Sequence, residues 1–202
     1  MTSEAVDRPA GSGGRDLRAR LLRTSRELLD EGGPGALSMR EVARRSGCTH
    51  QAPYHYFPNR EAILAALVAE GFTGLADALH RARTDNAGAD ASGIVVATGS
   101  AYIDFALSNP GVFRIMFRSD MYDPTAHPDL LAASDRARAE LSALARQVFG
   151  DAATDEAEAA LWAYVHGASC LLIDGPGALG PTTTEEKRRF ASRLLHSGAL
   201  RP

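Results

Sequence analysis

The 202-residue chain has only two cysteines, Cys48 and Cys170, far apart and in no Cys-x-x-Cys pattern. Neither a disulfide framework nor a thiolate metal site is therefore encoded, and free thiols in a cytoplasmic protein are expected. No run of about 18 consecutive apolar residues occurs, so no membrane span is expected. The opening MTSEAVDRPAGSGG lacks an apolar core segment and carries acids, which excludes a secretory leader; residues 1–14 read as a disordered tail. Metalloprotease HExxH, the nucleophile elbow GxSxG, a glycine-rich phosphate loop and Cys/His metal spacings are all missing. His50 and His55, five apart, point to different helix faces and make a poor metal pair. Neither enzyme, cofactor nor metal is expected. Alternating strand patterns of useful length are absent too, so the fold class is all-α.

What is present is a charge asymmetry and a series of helical stripes. The net charge is −3, yet residues 1–60 hold ten arginines against seven acids, while the remainder holds twelve bases against eighteen acids. A polyanion would meet the N-terminal part. From Asp16 to Asp30 the apolar positions Leu17, Leu21, Leu22, Leu28 and Leu29 form one stripe, with Ser25 filling the small position on that face, and EGGPG ends it. Ser38 precedes MREVARRSG with Glu41 at capping-box spacing, and Gly47 closes that short helix. Asn59 caps a long helix carrying Ile63, Leu64, Leu67, Val68, Phe72, Leu75 and Leu79. The polar run at residues 84–93 is the clearest break. Helices then follow over residues 94–108, from Asn109 and Pro110, from Asp129 to Phe149, over residues 154–173, and from Thr184 to His196.

Two short helices about a glycine turn describe a helix-turn-helix. Ala43 is small where the helices must approach, and Gly47 stands where a positive φ is needed. Val42, Pro53 and Tyr56 fall on the inner face, leaving Thr49, His50, Gln51, Tyr54 and His55 outward. Proline inside CTHQAPYHYFPNRE is tolerated if Thr49 is the N-cap and Pro53 the fourth helical residue, where at most the first backbone bond is lost. Such a helix would enter the major groove of double-stranded DNA. Gln51 suits adenine and His50 a base edge, while the hydroxyls of Thr49 and Tyr54 suit phosphates. Ser38, Arg40, His55, Asn59 and Arg60 complete the candidate contacts. On spacing alone a helical protein that never touches DNA fits the same pattern.

The segment LSMREVARRSGCTHQAPYHYFPNREAIL resembles the N-terminal DNA-binding domain of the TetR family of transcriptional regulators. Gly47, Tyr54, Phe57, Asn59, Arg60 and Glu61 match in register, and the resemblance covers residues 16 to about 72. Gln51 stands where the family usually has Gly or Ala, and Pro53 where it has Leu or Ile. The Ala-Pro-Tyr recognition segment, with Trp162, His166 and Gly167 later on, is similar to a subgroup with a C-terminal Trp-His-Gly signature.

The resemblance implies a helix-turn-helix domain over residues 15–60, a connecting helix over 61–84, and a ligand-binding and dimerising domain over 85–202. The helix of residues 154–173 is apolar nearly all round, which suits one face in its own domain and another in a homodimer. Tyr102, Phe105, Phe113, Met116, Phe117, Met121, Trp162, His166 and Cys170 are the candidate contacts for a small, largely apolar effector. The implied function is a repressor that binds a palindromic operator and is released by that effector. A helical dimeric adaptor without DNA binding is the alternative.

Overall fold

The computed structural model describes residues 12–175 and 181–197. Within them the chain forms eight α-helices: α1 (Ser12–Gly32), α2 (Met39–Arg45), α3 (Arg60–Asp85), α4 (Ala91–Ser108), α5 (Pro110–Met116), α6 (Pro128–Phe149), α7 (Asp155–Asp174) and α8 (Thr184–His196). Short 3₁₀ turns at Pro34–Ala36, Ala52–His55, Pro124–Ala126 and Gly150–Ala152 join them, and no strand occurs among the described residues. The helical start at Ser12 trims the expected tail from 1–14; residues 1–11, and residues 176–180 of the expected DGPGALGP break, lie outside the described part.

Helix starts follow the capping chemistry of the sequence. Ser38 Oγ accepts from Glu41 N at 3.2 Å, but the Glu41 carboxylate turns to Arg44 and Arg45 instead of closing the box. Asn59 accepts from Ala62 N at 2.8 Å and starts α3, Asp90 does the same for α4, and Thr183 with Glu186 forms a full capping box on α8. Asn109 occupies the N-cap position of α5 without capping it; its amide donates to Phe105 O and accepts from Arg26. Because α2 has only seven residues and little else to nucleate it, Ser38→Ala is expected to destabilise the protein by about 1 kcal/mol in a denaturant titration.

One buried cluster runs through the molecule. Leu21, Leu28, Leu37 and Val42 meet Ile63, Leu64, Leu67 and Val68 at the start of α3, and the same cluster continues to Ile103, Ile115, Leu172 and Leu195. Over 18 residues α3 and α4 are each apolar enough to pass for a membrane span by length and composition, but Ile63, Leu64, Leu67 and Val68 are 0% exposed and are committed to this core. A second cluster, Ile94, Val95, Leu144, Ala145 and Leu161, closes the far end between α4, α6 and α7.

The N-terminal unit is joined to the rest by close backbone approach. A Cβ on Gly111 would lie 2.5 Å from Asp30 Oδ1 and 2.7 Å from both Asp30 N and Leu29 C, so α5 rests on the end of α1 where only glycine fits. Gly111 N also donates to Asp30 Oδ1 at 2.8 Å. On its other side α5 wedges Val112 and Met116 against Gly71 of α3.

Candidate nucleic-acid interface and interior cavity

The chain turns after α2 through Gly47, whose φ of 63° is the left-handed conformation that glycine adopts without strain. Cys48 N then bonds back to Ala43 O at 3.1 Å. The segment that follows is not the α-helix expected from a Thr49 cap. It is a single 3₁₀ stretch, Ala52–His55, with Gln51 in the N-cap position and no side chain capping it. Pro53 explains the change: without an N–H it breaks the ladder at its first turn, and the neighbours form tighter bonds three residues back. Ala52 N reaches Thr49 O at 3.0 Å, Tyr54 N reaches Gln51 O at 3.1 Å, and Tyr56 N reaches Pro53 O at 3.0 Å. Pro53 itself is buried, while Thr49, His50, Gln51, Tyr54 and His55 are all exposed. The outward set is thus the expected one, carried on a shorter and tighter support.

Around it, the polar residues divide into free and engaged. Arg40 is exposed and has no ion pair or hydrogen bond among the described residues. Ser38 and Asn59 spend their side-chain oxygens on helix caps. Arg60 is half-buried: its Nε donates to Leu37 O at 2.9 Å and its Nη2 to Pro34 O at 2.6 Å. Arg60, expected at a phosphate, here ties the loop before α2 against the start of α3.

Two further arginines of the N-terminal unit, Arg44 and Arg18, lie outside the expected set. Arg44 is 68% exposed while clasping Glu41, and the Arg18 guanidinium lies 5.3 Å from the centre of the Phe57 ring. Hydrogen bonds from Arg44 and then Arg45 hold the Glu41 carboxyl down at about 2, against 4.5 for a free glutamate. The clasp is therefore complete above pH 4.5 and is lost only as pH falls through about 2. Arg44's charge at neutral pH is partly spent on a neighbour, a pairing that i,i+3 spacing alone would have revealed.

The second feature is a cavity of about 470 Å³ between α3, α4, α6 and α7. Phe72, Leu75 and Leu79 form one wall, Leu141 and Leu144 another, and Tyr102, Phe117 and Trp162 contribute aromatic surface. Of the nine residues expected at an effector site, these last three line it. Phe113 and Met116 are 3% and 2% exposed and belong to the core, where Met116 fills the space above Gly71. Phe105 packs beside Gly74, Met121 packs against the core, His166 stands behind Tyr102, and Cys170 is exposed on the outer side of α7. Sequence periodicity identified apolar faces but not which neighbour each would meet.

A polar chain runs through the cavity wall. Trp162 Nε1 donates to Tyr102 Oη at 3.2 Å, and Tyr102 Oη lies 3.0 Å from His166 Nδ1. His166 Nε2 is 3.6 Å from Cys170 Sγ. Burial raises the Tyr102 phenol above its ordinary value and lowers His166, favouring the neutral form of each. Burial, with Asp174 nearby, also pushes the Cys170 thiol up. Acids that no spacing marks also line the wall: Glu140, Asp155 and Glu158 border the cavity with one base, Arg138.

Two family patterns match this chain: one described as bacterial regulatory proteins of the tetR family over residues 21–67, and one described as a tetracyclin repressor-like C-terminal domain over residues 95–197. An HTH-type transcriptional regulator of Mycobacterium tuberculosis is 35% identical over 107 residues, covering 53% of this chain and 45% of that protein. The chain thus matches just under half the length of the curated relatives. Among solved structures, a protein of unknown function from Rhodococcus sp. RHA1 superposes with a TM-score of 0.71 at 27% identity, covering 94% of this chain and 98% of the other. The TetR family transcriptional regulator PfmR from Thermus thermophilus shares the fold, with a TM-score of 0.66 at 24% identity over 88% of this chain and 97% of its own.

Proposed function

Since the chain belongs to the TetR family of bacterial transcriptional regulators, whose members bind DNA, we propose that it is a ligand-responsive repressor acting in the cytoplasm as a homodimer on a palindromic operator. A small, largely apolar effector in the cavity between α3, α4, α6 and α7 releases it. The observation that carries this reading is the exposed set Thr49, His50, Gln51, Tyr54 and His55, mounted on a buried Pro53 next to the α2 turn. Exposed hydrogen-bonding side chains of this kind support a major-groove contact.

Dimerisation has its own support. On α7, Ala160, Ala163 and Gly167 form a small-residue track that runs to Leu171, which is 54% exposed. Beside it α8 completes a surface suited to a four-helix contact with a second copy. Membership of the Trp-His-Gly subgroup is part of the proposal, and the presence of Trp162, His166 and Gly167 on α7 supports it.

Selection from a random duplex library at low salt tests the proposal. A palindromic consensus bound by a dimer is expected, with half-sites one helical turn, about 34–36 Å, or a multiple of it apart. Arg40→Ala should then weaken every sequence alike and lower the slope of log affinity against log salt by about 1. Gln51→Ala should relax preference at one base position. If no duplex is retained at low salt, the helical adaptor without DNA binding becomes the better reading.

A further inference from the structure

Glu140 belongs to two structures at once. It lines the cavity, yet its carboxylate is held by α3: His80 Nδ1 lies 2.9 Å from Oε1, and Arg83 donates to Oε2 from Nε at 3.1 Å and from Nη2 at 2.9 Å. The Glu140 and Arg83 side chains are only 15% and 21% exposed, so solvent screens this pair poorly and its geometry matters. A second α3–α6 pair, Asp77 with Arg136, sits on the surface with side chains 40% and 51% exposed, where it contributes little. The Glu140 clasp is therefore the principal polar tie between the cavity wall and the helix that leads to the DNA-binding unit.

Charge and shape point to what would compete for it. Three carboxylates, Glu140, Asp155 and Glu158, line the cavity against Arg138 alone; Arg83, holding Glu140, supplies the second positive charge. One carboxylate remains in excess. Glu158 already accepts from Ser142 at 2.8 Å, whereas Asp155 is exposed at the start of α7 with no side-chain hydrogen bond among the described residues. The lining also includes the rings of Phe72, Phe117 and Trp162, and aromatic faces attract cations that have shed water. At about 470 Å³ the space falls in the range of about 300–1,000 Å³ typical of small-molecule sites.

We propose that the cavity takes a hydrophobic cation and that Glu140 is the joint through which it is felt: the cation takes a share of the carboxylate that Arg83 and His80 otherwise hold, and α3 loosens from α6. Binding depends only on the cavity; the consequence for DNA rests on the regulatory reading above. The differential strength of the Glu140 contacts in the two states sets how far the equilibrium shifts.

The test uses tetraphenylphosphonium and tetraphenylborate, ions of matched size and shape and opposite charge, titrated into the full chain in sodium buffer. Trp162, the single tryptophan, reports occupancy by its emission. The phosphonium is expected to bind saturably and at least about tenfold more tightly than the borate, because carboxylate charge and ring faces in a poorly screened site favour the cation and oppose the anion. Glu140→Gln, which removes one carboxylate charge from a poorly screened site, should weaken it about tenfold. Arg83→Gln should tighten it severalfold, because the carboxylate loses a competitor; a purely architectural clasp would have both variants weaken binding. Hydrogen exchange over residues 80–85 should rise when the phosphonium is bound. Equal or tighter borate binding, no saturable response to either ion, or weaker binding in Arg83→Gln overturns the assignment. If Glu140→Gln fails to fold, Arg83→Gln carries the test alone. Phosphonium binding that leaves DNA affinity unchanged supports the cation site and overturns the regulatory reading instead.

Discussion

Gly111→Ala is expected to lower folding stability by about 3 kcal/mol, at the upper end of what one added methyl does in a packed interface. The reason is the identity of the atoms it would strike. A flexible side chain could rotate away, but the Asp30 amide and the Leu29 carbonyl carbon, each 2.7 Å from the new Cβ, are backbone at the end of α1. Relief requires α5 and α1 to separate, which also breaks the hydrogen bond from Gly111 N to Asp30 Oδ1. Asp30→Ala removes only that bond and should cost about 1 kcal/mol. In the double variant the two effects should fall short of their sum, because both act on one contact. Denaturant titrations of the three variants settle this; a Gly111→Ala loss under about 1 kcal/mol would mean that the helices part easily.

The second large effect concerns Arg60. Arg60→Ala leaves two carbonyls, Leu37 O and Pro34 O, without their guanidinium donor and should destabilise the N-terminal unit by about 2 kcal/mol. DNA affinity should fall with it at all sequences, since the turn before α2 loses its hold on the start of α3. The salt dependence distinguishes this from a lost phosphate contact. An arginine that neutralises a phosphate takes about 1 unit of salt slope with it, as expected for Arg40→Ala, whereas Arg60→Ala should weaken binding with the slope retained. Arg60→Lys should restore little, because one ammonium cannot reproduce a fork that reaches two carbonyls. A slope reduced as much as in Arg40→Ala would return Arg60 to the phosphate-contact set.

These two positions show where sequence reading succeeds and where it stops. Helix existence was legible from the stripes, and starts were legible where a capping residue preceded them, as at Ser38 and Asn59. Local backbone chemistry near Pro53 was half legible: its missing N–H was visible, but whether the helix would continue or tighten into a 3₁₀ turn depends on carbonyls whose positions no spacing reveals. Arg60 looked like a surface cation because nothing nearby in sequence marks Pro34 O and Leu37 O, more than twenty residues earlier, as its partners. The cavity was least legible. Aromatic residues such as Phe113 drew attention, yet burial favours them in the core, while Leu141, Glu140 and Glu158 looked like ordinary amphipathic helix until α3, α4, α6 and α7 came together around empty space.

The length of α3 gives this arrangement a mechanical scale. Its 26 residues make a rod about 39 Å long, with the Glu140 clasp near one end and the Asn59 cap, beside the recognition segment, at the other. A tilt of about 5° about the clasped end would sweep the far end through about 3.4 Å, the length of one base-pair step of a DNA duplex. If a cation does loosen the Glu140 clasp, a lever of this length would turn a small adjustment around one carboxylate into a displacement at the far end of α3 on the scale of a base-pair step.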